Sequence, residues 1–214
     1  MTPTEIEDAA RREYNAVGDT HWSAAEFLVM MDRAQMELAR EALCIERTYT
    51  TTTVAGTQEY AFPTNTIAIK RVTYDGKVVY PITFQEDDTV TVYNSSTSSQ
   101  GVPQWYTMWN NVIALRPIPS DALTLKIYTF NEPQALTATS TLEVPDLFHN
   151  HIIHYCLSKM YAKDKDFNAA QYYDQKWMDG KTQAIKWFQK KRTTNKFKMV
   201  QDESVLLVRP VGYL

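Results

Sequence analysis

Hydrophobic period changes twice along this chain of 214 residues, and those two changes limit the folds open to it. Up to about residue 47 apolar side chains recur at helical intervals. From Thr48 to about residue 140 they alternate or stand in β-branched runs, and from residue 144 the helical period returns. Neither helical stretch makes a domain by itself, so the two are expected to pack on each other. The predicted fold class is α+β: a split four-helix domain from residues 1–47 plus 141–191, with an antiparallel β-sandwich or barrel, residues 48–140, inserted in it. Residues 192–214 are expected to form an extended C-terminal arm.

Local signals support the helical parts. Thr2-Pro3-Thr4-Glu5 reads as a capping box with proline at the first helical position, followed by Ile6, Ala9, Ala10 and Tyr14 on one face to about Ala16. Gly18-Asp19-Thr20 breaks that helix. Ser23-Ala24-Ala25-Glu26 is a second box, with Trp22 placed to staple onto Phe27; Phe27, Met31, Ala34, Leu38 and Ile45 then keep helical spacing to about Arg47. Residues 144–191 predict a helical hairpin of two blocks, 146–163 and about 166–191, parted by Lys163-Asp164-Lys165-Asp166. Its inward positions are Leu147, Ile152, Tyr155, Cys156 and Met160, then Phe167, Ala170, Trp177, Ala184 and Phe188.

Between them, strands are predicted at 49–54, 59–62, 67–74, 77–80, 89–93, 104–109, 112–116 and 123–130. Asp75-Gly76 is the strongest hairpin signal, because both turn positions need positive φ, and Asn110-Asn111 supplies another turn. Residues 94–101 are a polar loop of low complexity. Beyond Arg192 helical character is expected to fade, and the apolar run Val205-Leu206-Leu207-Val208 ahead of Arg209 could add as a strand to another subunit, fold back onto its own domain or be disordered.

Candidate chemistry is sparse. None of the six glycines sits in a phosphate-cradling pattern, which argues against nucleotide binding. His149, His151 and His154 cannot converge on a metal from one helix, because position 149 points away from the other two. Glu86-Asp87-Asp88 lacks calcium-loop spacing and reads as a solvated turn. Cys44 and Cys156 fall in predicted helices and read as small core residues, with no disulfide framework, which suits a reducing site of folding. No cofactor, no metal and no enzymatic activity are expected. No run approaches the roughly 20 apolar residues of a membrane span, and the N-terminus lacks a signal-peptide pattern, so a soluble chain without a membrane partner is expected.

Two surfaces remain. Trp105, Tyr106 and Trp109, with Tyr60, Tyr74, Tyr80 and Tyr93, could build a stacking platform for glycan or single-stranded nucleic acid, although alternation should turn about half of them inward. The formal charge of −3 divides unevenly: residues 159–198 hold eleven Lys or Arg against four Asp, a balance of +7, which leaves −10 for the rest. Such a limb is a solvated face or a partner surface.

The order of segments carries a resemblance. Met31-Asp32-Arg33-Ala34-Gln35-Met36-Glu37-Leu38 leads into a Thr-rich strand, then Ala55-Gly56-Thr57-Gln58-Glu59-Tyr60-Ala61-Phe62-Pro63 and Ile67-Ala68-Ile69-Lys70-Arg71-Val72. Gly101-Val102-Pro103-Gln104-Trp105-Tyr106, Ile113-Ala114-Leu115-Arg116-Pro117-Ile118-Pro119, Leu125-Lys126-Ile127-Tyr128 and Val144-Pro145-Asp146 follow. This layout resembles the head-to-tail adaptor, or connector, proteins of tailed bacteriophages, including the tail tubular protein A type. The resemblance implies a structural virion protein, assembled in the host cytoplasm as a ring commonly of twelve copies, with double-stranded DNA passing non-specifically through the centre. It implies a portal protein as partner of the helical part and a tail or nozzle protein as partner of the β part. The portal-docking arm would comprise Val205, Leu206, Leu207, Val208, Arg209, Tyr213 and Leu214. Its basic root would be Lys186, Lys190, Lys191, Arg192, Lys196 and Lys198, and Trp105, Tyr106 and Trp109 would face the tail.

Overall fold

The structure, a computed structural model, describes residues 1–18, 21–86 and 100–200, with side chains described as far as residue 192. The strand expected at 89–93, the loop at 94–99 and the apolar run from Val205 lie outside the described residues. The chain divides into two compact units: Met1–Cys44 with Pro133–Leu214, and Ile45–Glu132.

The first unit is helical. α1 (Pro3–Glu13) and α2 (Ala24–Ala42) come from before the β region, and α3 (His149–Lys163) and α4 (Phe167–Val200) from after it. Both capping boxes form: the Thr2 hydroxyl accepts from the Glu5 amide at 3.2 Å, and the Ser23 hydroxyl from the Glu26 amide at 3.2 Å, with each glutamate accepting in return. Each cap contributes about 1 kcal/mol to its helix. The four helices share one apolar core, with Ile6, Phe27, Met31 and Leu38 from the first pair against Ile152, Cys156, Leu157, Trp177 and Phe188 from the second. Lys181 of α4, almost wholly buried, donates to Glu37 at 2.6 Å and Glu41 at 2.8 Å and so clamps α4 to α2.

Three helix boundaries differ from the sequence expectation. α2 stops at Ala42 rather than near Arg47, because Leu43 takes a left-handed conformation, φ 51°, and its amide caps onto the Ala39 carbonyl. A leucine there costs ~1–2 kcal/mol relative to the right-handed helix, so nothing in side-chain propensity announces it. Cys44 consequently lies in the connection and not in a helix. α4 continues through Arg192 to Val200, since residues 181–200 contain neither glycine nor proline. The entry to α3 is a turn of 3-10 helix, Asp146–Phe148, whose tighter repeat buries Phe148 and leaves Leu147 65% exposed. Phe167, the first residue of α4, is likewise outside the core at 68% exposure.

The second unit is a sheet. Its strands are β1 (Glu46–Thr52), β2 (Glu59–Ala61), β3 (Thr66–Tyr74), β4 (Lys77–Pro81), β5 (Gln100–Gly101), β6 (Trp105–Trp109), β7 (Val112–Arg116), β8 (Ile118–Pro119) and β9 (Thr124–Asn131). Seven of them form one sheet in the order β1-β9-β3-β4-β6-β7-β2, while β5 and β8 make a separate parallel pair. The antiparallel sandwich or barrel of the sequence reading is replaced by a mixed sheet curled into a half-barrel. Parallelism enters where β4 meets β6, Tyr80 opposite Trp105; the long connection 82–104 supplies the crossover that parallel neighbours require. Asp75 and Gly76, φ 49° and 76°, and Asn110 and Asn111, φ 46° and 59°, make the two tight hairpin turns expected of them. Val72, Tyr74, Val79, Ile113, Leu115, Leu125 and Ile127 fill the concave side.

Gly180 gives a test of how closely α3 and α4 pack. A Cβ at this position would overlap the His151 imidazole. Replacing a mid-helix glycine by alanine ordinarily stabilises by about 1 kcal/mol. Here Gly180→Ala should instead destabilise the helical unit by about 1–3 kcal/mol in urea unfolding followed by far-ultraviolet circular dichroism. Adding His151→Ala should recover most of that loss.

Candidate functional site

Alternation along β6 separates the three aromatic residues that the sequence groups together. Tyr106 points into the core at 4% exposure, Trp105 is half-buried, and Trp109 is 73% exposed near the β6–β7 turn. Tyr60 and Tyr74 are also interior, their hydroxyls donating to the Thr57 carbonyl at 2.9 Å and the Asp121 carbonyl at 3.0 Å. Tyr93 lies outside the described residues, and Tyr80 is exposed on β4. Among the described residues these rings build no single platform. Trp109 has a different neighbour: Phe84, edge-on with ring centroids 5.6 Å apart and planes at 89°. The pair borders an open groove of about 580 Å³ that Gln58, Glu59 and Arg116 line with polar atoms.

Phe84 was not legible as a surface residue, yet a signal for its placement exists. Thr83-Phe84-Gln85-Glu86 is a capping box: the Thr83 hydroxyl accepts from the Glu86 amide at 3.2 Å, and the Thr83 amide donates to the Glu86 carboxylate at 2.8 Å. These bonds from Thr83 hold the Glu86 carboxyl below the usual range. Glu86 thus lies in the first turn of a short helix capped by Thr83 and is exposed to solvent; Asp87 and Asp88 lie outside the described residues.

The helical unit holds the histidines. His149 is 1% exposed and bridges the entry to α3: one ring nitrogen, Nε2, sits 2.7 Å from the Val144 carbonyl, and Nδ1 sits 3.0 Å from the N-terminal amine. With Nε2 donating, Nδ1 is left to accept, which is the neutral imidazole. His151 and His154 face α4, their rings 5.8 Å apart, and each Nδ1 is buried with no hydrogen-bond partner. Among the described residues no three metal-ligating side chains converge. His21 stands 3.5 Å from Asp164, which also accepts a bond from the Tyr14 hydroxyl. Burial pushes the Cys156 thiol up to about 12 and the Cys44 thiol up to about 11, so both remain protonated and unreactive at neutral pH.

Of the basic limb, Lys186, Lys190 and Lys191 are exposed along α4, and Arg192 is half-buried. The Lys191 ammonium lies 5.4 Å from the Trp187 ring centroid. Lys196 and Lys198 fall on the last turns of α4, with side chains outside the described residues. Val205, Leu206, Leu207, Val208, Arg209, Tyr213 and Leu214 are outside them altogether. The described residues include no helix long and apolar enough to cross a membrane.

Residues 1–197 match the family model described as SU10 adaptor protein. No curated protein matches the chain.

The three α3 histidines set a pH dependence. Burial holds His149, His151 and His154 below the ordinary histidine value of 6.5, so the folded state binds fewer protons than the unfolded chain as the pH falls through that value. Their contribution is present above about pH 7 and is lost toward about pH 5. The unfolding midpoint of the helical unit should drop over that interval, and the drop should shrink in His151→Asn/His154→Asn; a midpoint flat over the interval in the wild type would contradict the assignment.

Proposed function

This chain belongs to the SU10 adaptor protein family of phage head–tail adaptors, and from that premise we propose that it forms a ring between portal and tail that passes double-stranded DNA without reading its sequence. The family match is the observation that carries the reading, because it runs through both units and into the distal part of α4. In this reading the split four-helix domain, residues 1–47 plus 141–191, faces the portal. The β domain, residues 48–140, meets the tail protein. The arm, residues 192–214, whose first part to Val200 continues α4, reaches from the basic root at Lys186, Lys190, Lys191, Arg192, Lys196 and Lys198 into the portal, with Val205 to Val208 as its apolar anchor. Trp109 supports the tail-side assignment, since an exposed tryptophan beside Phe84 and the exposed Met108 is the kind of anchor on which interface energies concentrate. Tyr106, being interior, is no part of that surface.

A second reading is favoured by the groove under Trp109: a glycan or single-stranded nucleic acid stacked on that ring. It requires Trp109→Ala to abolish ligand binding with the fold intact, whereas the adaptor reading requires the same variant to weaken attachment of the tail protein.

Electron microscopy of the purified protein mixed with its portal should show closed rings seated on the portal vertex. Deletion of residues 204–214 should leave both units folded and weaken that complex. Persistent absence of any ring or portal complex from the full chain would overturn the proposal.

A further inference from the structure

The outer face of the half-barrel, where β1, β9 and β3 lie side by side, is built differently from the rest of the unit. Register places Thr48, Tyr128 and Arg71 in one row across the three strands, and Thr50, Lys126 and Thr73 in the next. Their neighbours along the strands, Val72, Leu125 and Ile127, turn the other way into the core. The adjoining row, where Glu46 faces Phe130, is closed by Lys70, whose ammonium lies 3.0 Å from the Glu46 carboxylate and over the Phe130 ring. The two rows themselves carry hydroxyls, Arg71 and Lys126, and none of the core's apolar side chains.

Arg71 and Lys126 are exposed, and among the described residues neither has an ion-pair partner. They are diagonal neighbours on adjacent strands, a separation of about 7–8 Å at the backbone. Both line an open groove of about 430 Å³ whose floor carries Thr73 and whose walls include Thr124 and the Tyr128 ring; the Asp75 carboxylate bounds it at the turn. Unpaired cations with short hydroxyls and a phenol between them are the side chains that hold nucleic-acid phosphates. A protein partner would find no apolar anchor here, and a base-reading surface would need ring faces or groove-entering elements. The apolar alternative lies elsewhere in the same sheet, at Trp109 and Met108 on β6, with β4 between the two areas.

We propose that the β1–β9–β3 face of each subunit contacts the phosphate backbone of duplex DNA through Arg71 and Lys126, and is thus the face turned toward the channel. This rests on the adaptor reading for the identity of the polyanion. The contact is confined to two cations per subunit in a unit, residues 45–132, that holds eight acidic side chains against six basic ones, so it is weak, strongly salt-dependent and indifferent to sequence. Such a contact suits a strand that must move.

The test compares the full-length protein with R71Q/K126Q and with a control pair on α4, K186Q/K190Q, in binding to a short blunt duplex across a salt series. Each lost phosphate contact should reduce the slope of log affinity against log salt by ~0.9, so the sheet variant should lose ~1.8. The charge-conserving R71K/K126R should restore the slope, and the α4 pair should leave it unchanged. An unchanged slope in R71Q/K126Q, a slope lost only in the α4 pair, or no duplex binding by the wild type at low salt would each overturn the proposal. Ring formation on the portal, followed separately by electron microscopy, distinguishes its failure from failure of the adaptor reading: R71Q/K126Q should still form rings.

Discussion

The structure depends on an apolar core that no continuous segment of the chain can complete. α1 and α2 present Ile6, Phe27, Met31 and Leu38 on one side, and α3 and α4 return Ile152, Leu157, Trp177 and Phe188 from more than a hundred residues later. Each helix pair alone would leave its apolar stripe in water. Burying a side chain of this size is worth about 1.5–3 kcal/mol, so the incentive to close the core exceeds what either pair gains by itself. Lys181 between Glu37 and Glu41 then fixes which way α4 lies on α2, because among the described residues those two carboxylates are the acceptors that satisfy a nearly buried ammonium. Burial alone would lower its pKa; the two carboxylates outweigh that and raise it, so the clamp is charged at any physiological pH.

An insertion in such a core must leave and return at nearly the same place. The β unit does so by pairing its own first and last strands: β1 runs antiparallel to β9 from Glu46 opposite Phe130 to Thr52 opposite Thr124, and the Asn131 amide donates to the Ile45 carbonyl at 3.0 Å. Its two ends are therefore held together by the sheet itself, the condition under which an inserted domain costs its host little. The result is one chain with two units of unlike surface, one helical with a basic distal helix, the other a sheet with a hydroxyl-rich face and an exposed aromatic hairpin end.

Much of this was legible. The capping boxes at Thr2 and Ser23 and the Asp75-Gly76 turn are local devices in which the residue types themselves satisfy backbone groups, and they form as read. What was not legible has tertiary causes. Leu43 in a left-handed cap has no glycine to announce it; the parallel β4–β6 joint depends on where a long crossover returns; and the 3-10 turn that exchanges Leu147 for Phe148 shifts the helical phase by less than a residue. The aromatic cluster on β6 divided because spacing alone cannot say which parity faces in until the neighbouring strands are placed. Phe84 has no apolar period around it to mark its place; the signal lies in its neighbours Thr83 and Glu86, which form the same capping box as those that open α1 and α2.

Native-state hydrogen exchange of the full chain tests the shared core most directly. If α1 and α2 close the same core as α3 and α4, the slowest amides of α2 and α3 open together, with one common free energy and one common response to urea. Amides of α3 and α4 that stayed protected while α2 exchanged freely would contradict it, and would make the C-terminal hairpin an independent domain.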